Sequence, residues 1–133
     1  MDDVTRMTIE HACERLIRRF ALLNDAHDHD ALADLFTEDG SFARPTDPDA
    51  PVRGREAIRA FFRDRPKRET RHVIGNTVVD VESMTSARAR SYVVLYSGEQ
   101  GKTVLVGEFR DALARGETGI WQIVSRSGSL AFT

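Results

Sequence analysis

The sequence is short of most features that would tie it to a special environment. It has one cysteine, Cys13, in 133 residues, so no intrachain disulfide can form, and no Cys/His cluster has structural zinc spacing. No apolar run approaches the roughly 20 residues of a membrane span. The opening residues Met1-Asp2-Asp3-Val4-Thr5-Arg6 lack the apolar stretch of a secretion signal. A cytoplasmic protein without a membrane partner is the expectation. Charge of one sign is lacking too. The 19 basic and 21 acidic residues give a net charge of −2, and arginines interleave with acids, which argues against nucleic acid as a partner. Repeats and low-complexity tracts are absent. One sizeable core fits in 133 residues, so one domain over residues 1–133 is expected.

What is present is strong periodicity. Ile9, Ala12, Cys13, Leu16, Ile17, Phe20 and Leu23 recur at three- and four-residue steps, which predicts an amphipathic helix from about Ile9 to Leu23. Thr8 is its expected N-cap, and Arg15, Arg18 and Arg19 take its wet face. A second helix carries Leu32, Leu35 and Phe36, with Asp28 or Asp30 capping its start and Glu38-Asp39-Gly40 turning out of it. A short strand, Ser41–Arg44, leads into Pro45-Thr46-Asp47-Pro48-Asp49-Ala50-Pro51, which is too rich in proline for regular structure and reads as a surface loop or flap. A third helix opens at Gly54-Arg55-Glu56-Ala57-Ile58 and closes before Pro66.

Four β-rich runs follow, over about Arg71–Glu82, Ala87–Ser97, Thr103–Ala114 and Ile120–Ala131. Turns at Ser97–Gly101 and Gly116–Gly119 join the later ones. Strands of about ten residues imply a sheet that curls. Three helices followed by an antiparallel meander make an α+β domain with helices on one face.

Several polar residues stand out against this pattern. Asp25 ends the first helix, where the helix dipole disfavours an anion by about 0.3–1 kcal/mol. It is either a solvated member of the turn 24–30 or an inward carboxylate in need of a partner, for which His72 is the natural candidate. His72, Ile74, Asn76 and Val78 share one face of their strand by alternation. His72 is then either a satisfied core histidine or one polar group of an apolar pocket. His27 and His29 alternate with Asp28 and Asp30 in a polar connector and are read as solvated, not as metal ligands. Tyr92, Val94 and Tyr96 on one strand and Trp121 and Ile123 on the last are expected on the outer sheet face. An outer face that apolar points to a homodimer.

The order of elements, together with Phe20-Ala21-Leu22-Leu23-Asn24-Asp25, Asp30–Gly40, Gly54–Ile58, Arg71-His72-Val73-Ile74-Gly75-Asn76, Gly107–Asp111 and Gly119–Ile123, resembles the SnoaL-like branch of the nuclear transport factor 2-like superfamily over nearly the whole chain. The resemblance implies a cone-shaped α+β barrel of cystatin-like form, its curved antiparallel sheet carrying three helices on the concave face. It also implies sheet-to-sheet dimers. Asp25 and His72 match the dehydratase branch, which implies that His72 is a general acid/base and that Asp25 orients it. By the same comparison Glu108 and Arg110 line the cavity, with Arg126 joining them and Arg44 reaching the mouth as a cationic wall. Read from the residues alone, Glu108 and Arg110 fit surface ion pairs equally well. Asn24, Asn76 or Arg110 would hold a developing enolate oxygen. Where scytalone dehydratase carries two tyrosines and a second histidine, this chain has Asn24, Arg44 and about Ser97, so a different substrate is implied.

The function expected is that of a cofactor-independent lyase (dehydratase) or isomerase acting on a small cyclic or polyketide-like carbonyl compound. The alternatives are a non-catalytic small-molecule-binding protein and an accessory β subunit of a ring-hydroxylating dioxygenase. No cofactor and no metal are expected.

Overall fold

The computed structural model describes residues 1–132. Helix α1 spans Asp3–Asp25, and it starts about six residues earlier than the apolar pattern predicts. The reason is local. Asp2 caps the helix by accepting the Thr5 N–H at 2.7 Å, while the Thr8 hydroxyl turns back to the Val4 carbonyl at 2.8 Å instead of capping. The inward stripe of α1 is Ile9, Cys13, Leu16, Ile17, Phe20, Ala21 and Asn24. Helix α2, His29–Ala33, is capped by Asp28, whose carboxylate accepts the Ala31 N–H at 3.1 Å.

Strand β1 covers Phe36–Ala43, so Glu38-Asp39-Gly40 lies within a strand rather than in the turn predicted from sequence. That stretch is irregular, with the β1 register shifting between Phe36 and Ser41. Strand β2 is the short Val52–Arg53, and α3 is Arg55–Asp64. Gly54 precedes α3 at φ +93°, a conformation that only glycine adopts readily. The long strands are β3 (Arg71–Val81), β4 (Ser86–Ser97), β5 (Thr103–Arg115) and β6 (Trp121–Leu130).

The sheet order is β2-β1-β6-β5-β4-β3. Strands β3 to β6 form the expected antiparallel meander, but β1 returns to pair in parallel with β6, which makes the sheet mixed. The core lies between the helices and one face of this sheet. Its centre is Phe20, whose ring lies 5.5–6.2 Å from those of Phe42, Phe62, Phe36 and Phe109, so α1, α3, β1 and β5 meet on one aromatic cluster. No helix among the described residues is long and apolar enough to cross a membrane.

Two irregularities decide which side chains face in. In β3, three steps from Gly75 to Val78 oppose two steps of β4, and Asn76 sits in the bulge at φ +51°. The extra residue flips the alternation, so His72 and Ile74 face inward before it and Val79 after it. A second bulge lies in β6, where two steps from Ile123 to Ser125 oppose one step of β5 from Leu113 to Ala112, so Ile123 faces inward before it and Arg126 after it. Ile123 is fully buried and Trp121 packs against the core. The expectation that these two lie on the outer face is therefore corrected.

Candidate active site

The end of α1 and the start of β3 meet at Asp25. Its Oδ1 accepts the Thr70 hydroxyl at 2.8 Å and His72 Nδ1 at 2.6 Å, while its Oδ2 accepts the His72 backbone N–H at 2.9 Å. Three donors on one carboxylate offset its unfavourable place at a helix C-terminus. Both partners are largely shielded, with side chains 13% (His72) and 11% (Asp25) exposed. An ionised carboxylate is an acceptor only, so in the neutral form of His72 it selects the tautomer with the proton on Nδ1, which leaves Nε2 its lone pair.

His72 lines a cavity of about 130 Å³ between α1, α3 and the inner sheet face. Phe20, Phe42, Phe61, Phe62 and Phe109 form most of its apolar wall, with Val93, Leu95, Leu105 and Leu130 from the sheet. Two glycines make room for the flap at the mouth. A Cβ on Gly128 would meet Pro45 at 2.6 Å, and one on Gly107 would meet it at 3.4 Å. The polar lining is Asn24, Thr46, Thr70 and His72, with three arginines, Arg44, Arg65 and Arg68.

Arg65 is the best held of the three. Its Nη2 donates to Asn24 Oδ1 at 2.6 Å, and its guanidinium lies 4.6 Å from the centre of the Phe62 ring. Its Nε is shielded from solvent without a partner among the described residues. Burial, then the nearby charges of Arg68 and Arg44, pull this guanidinium below its ordinary value. Arg44 stacks at 5.6 Å on Phe61 and lies 3.8 Å from the exposed Asp47. Arg68 sits in the segment joining α3 to β3, whose carbonyl at Arg68 is tied to His27 Nε2 at 2.7 Å. His27 thus anchors a loop, while His29 turns toward Asp30 at 3.3 Å. Cys13 is inert by contrast, since burial pushes its thiol up to about 11.

The structure brings Asn24, Arg44 and His72 to the cavity, with Asp25 behind His72. It does not bring Asn76, Glu108 or Arg110 there. Asn76 is exposed in the β3 bulge, whose extra residue turned it outward. Glu108 and Arg110 lie on the outer face, because Gly107, Phe109 and Asp111 take the inner one. There Glu108 pairs with Arg90 at 3.0 Å and Arg110 at 3.2 Å. Arg126 faces inward but lies beneath the cavity. It is fully buried in a two-pronged pair with Asp111, at 2.7 and 2.9 Å, between the rings of Phe109 (4.1 Å) and Phe20 (4.5 Å). Arg65, Arg68 and Thr70 escaped the sequence reading. The available signal was the basic stretch Arg63-Asp64-Arg65-Pro66-Lys67-Arg68, which Pro66 keeps out of the helix.

A family model described as a SnoaL-like domain matches residues 5–127. Among solved structures, an NTF2-like protein with a cystatin-like fold from Novosphingobium aromaticivorans is 30% identical, with 99% of this chain and 92% of that one covered and a TM-score of 0.82. A Catenulispora acidiphila protein in complex with S-DNPA is 27% identical, with 90% and 91% covered and a TM-score of 0.77. A candidate scytalone dehydratase from Novosphingobium aromaticivorans is 24% identical, with 98% and 89% covered and a TM-score of 0.86, a likeness of fold. No curated protein matches the sequence. With a family match over almost the whole length and a fold shared with these structures, the chain belongs to the SnoaL-like family of NTF2-fold proteins.

Proposed function

We propose that this cavity catalyses a cofactor-independent elimination or isomerisation of a small cyclic carbonyl compound, with His72 as the proton carrier. The observation that carries the proposal is the tripled hydrogen bonding of Asp25, which commits His72 Nδ1 and leaves Nε2 for a ligand in an aromatic cavity. Nε2 takes the proton α to the carbonyl. The imidazolium formed faces Asp25, which stabilises its charge and holds its ring in place. It then returns the proton to a departing β-hydroxyl, releasing water, or to another carbon, giving the isomer. Either way the protein ends as it began.

The developing enolate oxygen needs its own donor, because proton transfer alone contributes about 10²- to 10⁴-fold. With Asn76 and Arg110 on the outside, Asn24 takes that role. Arg65 occupies its Oδ1, so the Asn24 amide N–H groups remain to donate. The bound S-DNPA in the Catenulispora acidiphila relative supports a small-molecule occupant for a cavity of this fold.

Exchange in heavy water tests the chemistry with simple model compounds in place of the natural substrate. Cyclic β-hydroxy ketones and their enone products, incubated with the protein, should gain deuterium at the α carbon, and His72→Gln should abolish the gain. If the compounds bind but no α-hydrogen exchanges in the unaltered protein, the cavity is a binding site and not a catalytic one.

We also propose a homodimer through the outer face of β3–β5. Val73, Tyr92, Tyr96 and Val104 are about half exposed there, on adjacent strands. Sedimentation at increasing protein concentration should show the dimer form.

A further inference from the structure

Among the described residues, the cavity lining contains three arginines and no carboxylate, on a chain whose net charge is −2. Arg65, Arg68 and Arg44 come from the end of α3, the α3–β3 segment and the flap after β1. Arg65 and Arg68 belong to one basic stretch, and the fold brings Arg44 from the flap to join them. The carboxylates nearby do not neutralise them. Asp25 is turned to Thr70 and His72, and Asp47 reaches Arg44 only at 3.8 Å from an exposed position. Arg65 is fixed in advance by Asn24 and Phe62, with Nε shielded and unpartnered. A guanidinium held half out of water without a counter-charge is unfavourable unless something anionic completes it. A planar fork in a fixed pose is matched by a carboxylate, which can accept two parallel N–H bonds.

We propose that the compound taken by this cavity is an aromatic or cyclic acid, its carboxylate seated among Arg65, Arg68 and Arg44 and its ring among the phenylalanines. This names the substrate class and rests on the reading of the same cavity as the site of proton transfer. His72 and the arginines both line the cavity, so the acid end fixes which ring carbon faces Nε2. The carboxylate is a handle here and not the reacting group; the carbonyl attacked through its α-hydrogen is a separate function on the ring. Binding energy gathered at the handle then positions the α-hydrogen.

Matched acid and amide probes test the handle directly. Benzoate, phenylacetate and 2-naphthoate, each against its neutral amide, are titrated by calorimetry into the unaltered protein, Arg65→Gln and His72→Gln. At least one acid should bind about ten-fold or more tightly than its amide. That preference should fall as salt is raised. Arg65→Gln should erase most of it, while His72→Gln should keep it. Should Arg65→Gln fail to fold, Arg68→Gln and Arg44→Gln, both at exposed positions, should each reduce the preference. The proposal is overturned if no acid outbinds its amide in the unaltered protein, whether both bind or neither does, or if the preference survives all three arginine substitutions. Failure of the reaction is separable. An acid preference without α-hydrogen exchange removes the chemistry and leaves the ligand class standing.

Discussion

Two pairs of opposite polarity sit on the inner side of this sheet, and they are built for different ends. Arg126 and Asp111 are sealed. Both side chains are 0% exposed, their bond is two-pronged, and aromatic rings cover the guanidinium on two sides. His72 and Asp25 are equally well bonded, but the imidazole borders the cavity and one of its nitrogens is left over. The first pair is closed to solvent, and its one spare donor, Arg126 Nη1, is buried without a partner among the described residues. The second holds its acid closed and its base open. Residue types alone do not separate structure from chemistry here; access does.

Breaking the sealed pair should have the largest effect. Asp111→Ala leaves a guanidinium buried among phenylalanines without its partner, and such losses run to about 3–5 kcal/mol. The melting temperature should fall by about 10 °C or more. Replacing both members together, as Asp111→Leu with Arg126→Met, should recover much of that fall, since an apolar pair of similar volume needs no desolvation. If the double variant melts as low as Asp111→Ala, the pair contributes more than mutual neutralisation.

At the open pair the loss should appear in chemistry before stability. Asp25→Asn offers one acceptor oxygen to three donors; with that oxygen kept on the His72 backbone N–H, the amide N–H groups face the Thr70 hydroxyl and His72 Nδ1. Destabilisation of about 1–3 kcal/mol is expected. Turnover should fall about 10²- to 10⁴-fold, because an imidazole facing an amide N–H favours the tautomer whose Nε2 already carries the proton. Nitrogen-15 imidazole spectra at neutral pH should show Nδ1–H for His72 in the unaltered protein and Nε2–H in the variant. The same tautomer in both would remove Asp25 from its orienting role.

The contrast between these pairs was only partly legible in the sequence. Asp25 at the wrong end of a helix dipole and His72 on an apolar strand face were each conspicuous, because each breaks a local rule. The helices and long strands were visible in periodicity, apart from their ends. Arg126 and Asp111 could not be recognised as a sealed pair, since register across β5 and β6 is a non-local quantity. Alternation split β5 into a Glu108/Arg110 face and a Phe109/Asp111 face, but it cannot say which face is inside. The bulge at Asn76 broke an alternation that looked continuous, as nothing in Gly75-Asn76-Thr77 requires an extra residue there. Arg65 and Arg68 lie where periodicity ends, beyond the close of α3, and only the folded chain brings them to Asn24 and the phenylalanines.

A third ion pair completes the comparison with the smallest expected effect. Glu108 bridges Arg90 and Arg110 across the outer face, where the arginine side chains are 56% and 64% exposed. Pairs of that kind contribute about 0–1 kcal/mol, because water screens the attraction and two long side chains lose freedom. Glu108→Gln should therefore shift stability by less than about 1 kcal/mol and leave both turnover and acid binding unchanged. A loss of turnover would return Glu108 to the cavity, against its observed face. A larger destabilisation that grows with protein concentration would carry different information. Concentration dependence marks an interface, and Tyr92 is the cross-strand neighbour of Glu108. The pair would then be covered by a second copy of the chain, and its low value would hold only for the monomer.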